Sequence, residues 1–382
     1  MPLHRPPSAK GILYLAFNQD NTCISIADYK GIKIYSLETH KVLYQSDIGA
    51  VSIAEMLFCT SLMAYVGAGE QPTLTPRKLF LVNTATGSVI QDISLPTSVL
   101  AVRLNRERLV VVLERRTLVH DLKTLELLRT LETPSNPKGC CALSTCFDPC
   151  LLALPSSSTR GTMRVYNAAI TGSSVECEVT AHNSPVAVMA WNQDASLLAS
   201  ASNKGTVLRV HKMPQANKVY SFRRGSRPAP IHSLAFSPLD IQPPLLCATS
   251  GHGTVHIFRL EQPDRHPAAS AAVGFLCSVM PPRLTDVVEP PRCIATIKLP
   301  GRGVPAICAV QSVSSQQNGG GTTDSTLADD LNANAGVGTG IINVMVATAE
   351  GLFYEYHVQD LKAPQGPTCT LEGESYLLAQ KM

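Results

Sequence analysis

Phe222-Arg223-Arg224-Gly225 sets two guanidinium groups side by side at the end of a basic tract. From Ala195 to Leu239 there are seven Lys or Arg side chains (Lys204, Arg209, Lys212, Lys218, Arg223, Arg224 and Arg227) and no Asp or Glu. The whole chain of 382 residues holds 32 Lys and Arg against 29 Asp and Glu, so outside the tract acids outnumber bases. The positive charge is local. Guanidinium forks donate paired, charge-assisted hydrogen bonds to phosphate oxygens, so the chemistry this cluster suits is recognition of a phosphorylated ligand. The competing reading is a solvated strand end, where most surface arginines sit.

Other chemistry is poorly represented. Cys140, Cys141, Cys146 and Cys150 crowd one stretch, but they lack paired C-x-x-C spacing and surround an apolar run, so no metal is expected there. The twelve cysteines are scattered through apolar runs and are expected to be reduced thiols packed as small hydrophobes. No nucleophile elbow, Walker loop or metal-binding helix motif occurs, so neither a catalytic residue nor a cofactor is expected. Nucleic acid is disfavoured because few aromatics accompany the tract for base stacking.

The elements that must position the arginines repeat. AFNQD at Ala16–Asp20 returns as AWNQD at Ala190–Asp194 and, more weakly, as AFSP at Ala235–Pro238. A glycine precedes a β-rich run at Gly31, Gly161, Gly205, Gly253 and Gly351, and Gly161, Gly205 and Gly253 stand 44 and 48 residues apart. Four-stranded propeller blades recur at about 40 to 45 residues, and tight hairpins favour glycine. With 261–292 and 312–340 set aside as loops, the remaining length fits about seven blades. The expectation is an all-β chain: one seven-bladed β-propeller of WD40-like repeats over 1–382, with little helix. The opening strand near Leu13–Phe17 and the closing segment near Glu374–Leu378 are expected to share one blade and so close the ring.

No signal-peptide segment opens the sequence and no apolar run reaches about 18 residues, which gives the expectation of a soluble, intracellular protein. The run Ala268–Met280 within 261–292 is too short to span a bilayer and long enough to lie in its interface, through Phe275, Leu276, Val279 and Met280. The 312–340 stretch, rich in Gly, Ser, Thr, Asn and Gln, is expected to be a disordered spacer.

The FRRG tetrapeptide, framed by AHNSPVAVMAWNQD, SASNKGTVLRV, IHSLAFSP and GTVHIFRL, resembles the PROPPIN family of phosphoinositide-binding propellers, most of all its autophagy-related WIPI branch. FNQDNT, PTSVLAVRLNRERLVVVLE and NPKGCCALS extend the resemblance over nearly the whole chain. It implies a non-enzymatic membrane adaptor that binds phosphatidylinositol 3-phosphate and phosphatidylinositol 3,5-bisphosphate at two rim sites. It implies His182, Ser202, Lys204, Thr206, Arg209 and Arg223 in the first site, and Arg224, Ser233, Ser250, Thr254, His256 and Arg259 in the second. Alternation along a strand independently turns Arg223 and Arg224 to opposite sides, joins Thr254 to His256, and separates Arg259 from both and Thr206 from Arg209. For His182 and His256 a place in the blade's own hydrogen-bond network is as good a reading as ligand contact. His252, where the family usually has a small polar residue, reads as a solvated turn residue, with an added donor to the second site as the alternative.

The resemblance also makes 261–292 the loop that enters the membrane, with an ordered loop folded on its own blade, or a floppy linker, as the alternatives. Autophagy scaffold proteins would bind near Arg106 and Arg108, read as facing one side of a β-run, and near Pro76 and Arg77; exposed charge is an equal reading. The implied state is a monomer acting in the cytoplasm and peripherally on preautophagosomal, endosomal or vacuolar/lysosomal membranes. The runner-up is a propeller scaffold that binds only protein partners.

Overall fold

The computed structural model describes residues 2–4, 11–146, 148–170, 175–261, 290–301, 303–313, 341–361, 363 and 366–378. Their secondary structure is strand throughout, with no helix among the described residues, and the strands form seven antiparallel sheets in chain order. Each sheet is a blade: 3–46, 51–94, 101–132, 142–182, 186–223, 231–298 and 306–376 are blades 1 to 7. Blades 2 to 7 have four strands, and blade 1 gains a fifth from Leu3–His4.

Burial falls from the axis outward, which explains the sequence pattern. The inner strand Val51–Met56 and the second strand Leu245–Ser250 are buried at every position because both faces press on neighbouring blades. The outer strand Ser88–Ser94 is almost wholly exposed and mixes Ser, Gln and Asp with exposed Val89 and Ile90. Middle strands therefore read as continuous apolar runs. Buried hydroxyls tie blade to blade: Ser25 Oγ donates to Ala54 O at 2.7 Å, and Thr249 Oγ1 to Ala306 O at 2.6 Å. Around the axis lies a cavity of about 620 Å³ whose wall includes Gln19, Glu55, Arg103 and Trp191.

The NQD repeat has a structural cause. In blade 1, Asn18 Oδ1 accepts from Cys23 N and Asn18 Nδ2 donates to Thr22 Oγ1, while Asp20 Oδ1 accepts from the Thr22 amide and hydroxyl. In blade 5, Asn192 and Asp194 make the same bonds to Leu197 and Ser196. Asn21 and Ala195 each take a left-handed φ, 60° and 56°. One hairpin design is used twice, and its side-chain bonds replace those the turn's backbone lacks.

Ring closure differs from the expectation. Tyr14–Phe17 lies in blade 1 and Thr368–Tyr376 is the outer strand of blade 7, so the two ends share no sheet. The ring closes by face packing instead. Leu15, Ile24, Ile26 and Tyr35 of blade 1 form one buried cluster with Ile307, Met345 and Phe353 of blade 7, joined by Leu377.

Candidate functional site

Phe222 orients the motif. It lies in the outer strand Asn217–Arg223 of blade 5, is buried, stacks on Tyr220 and packs 4.9 Å from the Phe258 ring of blade 6. Tyr220 OH reaches Leu260 O of blade 6 from the same face. Burying one such ring contributes about 1.5 to 3 kcal/mol, enough to fix which face of the strand turns to blade 6. Successive side chains alternate, so Arg223 shares the other face with Ser221, and the pairs Val207↔Arg223 and Arg209↔Ser221 bring Arg209 beside it. That face belongs to blade 4: Arg209 Nη1 donates to Ala181 O.

Arg224 turns the other way. Its Nε donates to Gly205 O at 2.9 Å and its Nη2 to Arg227 O at 2.5 Å, and its Nη1 lies 3.3 Å from His252 Nδ1 in the blade 6 hairpin. Its amide donates to Thr206 O, and burial lowers the pKa of the guanidinium. Two neighbouring arginines thus divide between two blade seams.

At the seam of blades 4 and 5, His182 ends the strand Val175–His182 and its Nε2 lies 3.0 Å from Ser200 Oγ. Burial, then the Arg209 charge, pushes its pKa down to about 3, so the ring is neutral. Ser202 follows two residues after Ser200 on the same face, and Ser200 pairs with Arg209. Lys204 is exposed in the hairpin, and Thr206 gives its carbonyl to the amides of Arg224 and Gly225. Of the first set, His182, Ser202, Arg209 and Arg223 share the seam; Lys204 and Thr206 overhang it in the hairpin.

At the seam of blades 5 and 6 a polar chain faces Arg224. Ser250 Oγ meets Thr254 Oγ1 at 2.8 Å, Thr254 Oγ1 meets His256 Nε2 at 3.0 Å, and His256 Nδ1 meets Thr296 Oγ1 at 3.3 Å. Burial, followed by the charges of Arg224 and His252, pushes His256 down to about 4. Two residues of the second set leave it. Ser233 is fully buried, its Oγ accepting from Cys308 N of blade 7 at 3.4 Å, because a bulge between Ile231 and Ser233 turns it to the far face. Arg259 lies on the opposite face of Thr254–Arg259 from Thr254 and His256, and its Nε is buried without a partner among the described residues.

Sequence reasoning missed Ser200, Thr296 and Lys298. Ser200 was findable, since SASAS places it two residues before Ser202. Thr296 and Lys298 pair with His256 and Thr254, across a stretch whose length hid the register. His252 is an exposed turn residue that also touches Arg224.

The expected partner residues separate. Gln19 Nε2 donates to Met56 O and Leu104 O, placing the hairpins after those strands at one end of the ring, and Arg106 is exposed there, its guanidinium 4.7 Å over the Phe58 ring. Arg108 is not available with it: it is buried, pairs with Asp121 at 3.0 Å and donates to Ala168 O and Ala169 O. Arg106 sits in the turn before the strand Arg108–Val112, so the two do not share a strand face. Pro76 and Arg77 accept from Val99 N and Leu95 N, ahead of the strand Ala101–Leu104 and so at the other end of the ring. Phe275, Leu276, Val279 and Met280 lie outside the described residues, as does 314–340; Ser312 itself ends the strand Ala306–Ser312. The far end of 261–292 returns to the motif, where Pro291 O accepts from Arg223 N at 2.9 Å. Cys140 and Cys141 are buried, and burial raises Cys140 to about 12.

Known proteins share this architecture. Autophagy-related protein 18b of Arabidopsis thaliana is 37% identical over 345 residues, covering 90% of this chain and 90% of its own. The structure of Kluyveromyces lactis Hsv2 superposes with a TM-score of 0.71 at 18% identity, over 97% of this chain and 100% of that one. KlAtg21, solved in complex with the coiled-coil of AgAtg16, gives 0.67 at 24% identity over 96% and 99%. The two structures bear on the fold. The PROPPIN family model matches residues 12–318, and with the Arabidopsis relative it shows that this chain, a seven-bladed β-propeller, belongs to the PROPPIN family.

Proposed function

We propose that the chain is a non-enzymatic membrane adaptor that binds phosphatidylinositol 3-phosphate and phosphatidylinositol 3,5-bisphosphate in the two seams beside the motif strand. The observation that carries this reading is the division of Arg223 and Arg224 between the seams, one lined by neutral His182 with Ser200 and the other by neutral His256 with Thr254. A phosphomonoester needs cationic forks with hydroxyl donors, and neutral rings leave room for a proton to follow the dianion. The first pocket takes His182, Ser200, Ser202, Lys204, Thr206, Arg209 and Arg223. The second takes Arg224, Ser250, Thr254, His256 and Thr296. Two weak sites on one rim act through effective concentration, and Ala268–Met280 adds apolar burial in the bilayer interface. The monomer moves from the cytoplasm to preautophagosomal, endosomal or vacuolar/lysosomal membranes. There it gathers autophagy scaffold proteins, as the relatives' names and the KlAtg21–AgAtg16 complex favour.

Liposome flotation tests the reading. Vesicles carrying either 3-phosphorylated lipid should float the wild type, and R223T/R224T should stay in the soluble fraction. Equal flotation of the double variant overturns the lipid reading and leaves a scaffold for proteins alone.

A further inference from the structure

Two cysteines from different blades meet at the end of the ring that carries Arg106. Cys59 is exposed in the hairpin between Val51–Met56 and Leu62–Gly67 of blade 2. Its Sγ lies 2.9 Å from Thr22 Oγ1, 3.5 Å from Asn18 Nδ2 and 3.6 Å from Asp20 Oδ2, all in the first hairpin of blade 1. Cys23 follows Thr22, is buried, and its amide donates to Asn18 Oδ1 at 2.9 Å. The Asn18 side chain therefore bonds both the Cys23 amide and the Cys59 thiol, and the Cys23 side chain is buried on the face of blade 1 that packs against Met56 and Leu57 of blade 2, three and two residues before Cys59 in the same hairpin. Neither residue takes part in the seams beside the motif.

We propose that Cys23 and Cys59 form a peroxide-sensitive modification site whose disulfide staples blade 1 to blade 2. Burial and the neighbouring Cys59 push the Cys23 thiol up to about 11, so Cys23 is protonated at neutral pH and exposed Cys59 is the group that meets the oxidant. Cys59 sulfur attacks the terminal oxygen of a hydroperoxide; the O–O bond breaks, alcohol leaves, and a sulfenic acid forms. Cys23 sulfur then displaces the hydroxyl from that sulfur. The S–S bond forms, water leaves, and the two thiols have given up two electrons and two protons for one peroxide reduced. Asp20, 3.6 Å from Cys59 Sγ, takes the thiol proton as the sulfur attacks and passes it to the departing oxygen, which leaves as alcohol, or as water when the oxidant is hydrogen peroxide. The staple bears on more than two residues: Phe58, next to Cys59, donates its amide to Gln19 Oε1 and carries Arg106 over its ring. Oxidation therefore locks the platform beneath the exposed Arg106.

The test uses the full chain treated with hydrogen peroxide and digested without reductant. Mass spectrometry should show a Cys23–Cys59 linked peptide, two hydrogens lighter than the separate thiol peptides and split by dithiothreitol. The linked protein should melt about 5 °C higher, from the loop-closure effect of a disulfide spread over a chain of this size. Cys59→Ser should abolish both changes and leave binding of soluble inositol phosphate as in the wild type. Sulfinic or sulfonic Cys59 without the link, a link from Cys59 to any other cysteine or a second chain, or two unmodified thiols would each overturn the proposal.

Discussion

Arg224 commits two donors to its own chain, through Nε to Gly205 O and Nη2 to Arg227 O, and leaves Nη1 against His252. A lysine keeps the charge and loses the fork. Arg224→Lys should weaken soluble inositol phosphate binding about tenfold in calorimetry, and lower unfolding free energy by about 1 kcal/mol as the Gly205 and Arg227 carbonyls lose a donor. The buried imidazoles set a pH dependence. His182 sits at about 3 and His256 and His211 at about 4, against an unfolded value near 6.5. Above the unfolded value both states are neutral and the rings contribute nothing; as pH falls from 6.5 toward 4 the unfolded chain takes up protons the folded one refuses, so stability falls. Melting at pH 7.5, 6 and 5 should show that loss, and His182→Gln should make the decline shallower; a slope unchanged in the variant would remove His182 from the account. The opposed arginines were legible because strand alternation is a rule of geometry. The place of Ser233 was not, since a bulge between Ile231 and Ser233 leaves no mark in the sequence.

The hairpins hold the motif, and their glycines differ in what they do. Gly205 has a φ of +59° and a Cβ there would come 2.0 Å from Ala229 O, in the hairpin whose Thr206 carbonyl receives the motif amides. Gly205→Ala adds left-handed strain of about 1 to 2 kcal/mol to a backbone clash, so a large drop in melting temperature should accompany weaker binding at both seams. Gly225 has neither constraint: its φ is not in the left-handed region and a Cβ would meet nothing within 4 Å. Gly225→Ala should melt within about 0.5 kcal/mol of wild type, as surface substitutions do. Loss of vesicle flotation by that well-folded variant would mean that the motif glycine allows close approach to the bilayer. The hairpins themselves were readable from Gly205, Gly253 and the NQD repeat, because each encodes a local turn. Pairing across 262–289 was not, so Thr296 stayed hidden beside His256.

At the scale of the ring, strand signals reveal that a strand exists and say little about its neighbour. Both chain ends carried such signals, and a shared blade was the simplest closure; the structure keeps them in separate sheets because Tyr14–Phe17 is an inner strand and Thr368–Tyr376 an outer one. A ring closed by hydrogen bonds between its ends depends on those ends. This one depends on the blade 1 to blade 7 face, where Phe353 and Ile24 are buried, while Leu3–His4 adds one short pairing to Tyr14 and Leu15. Phe353→Ala should cost about 3 to 5 kcal/mol through lost burial and a cavity. Removing residues 1–4 should cost less, since Leu3 is the one apolar side chain of that strand in the cluster. Chemical denaturation should therefore order the three proteins as wild type, truncation, Phe353→Ala. A truncation less stable than Phe353→Ala would mean that the short inner strand, and not the packed face, holds the ring shut.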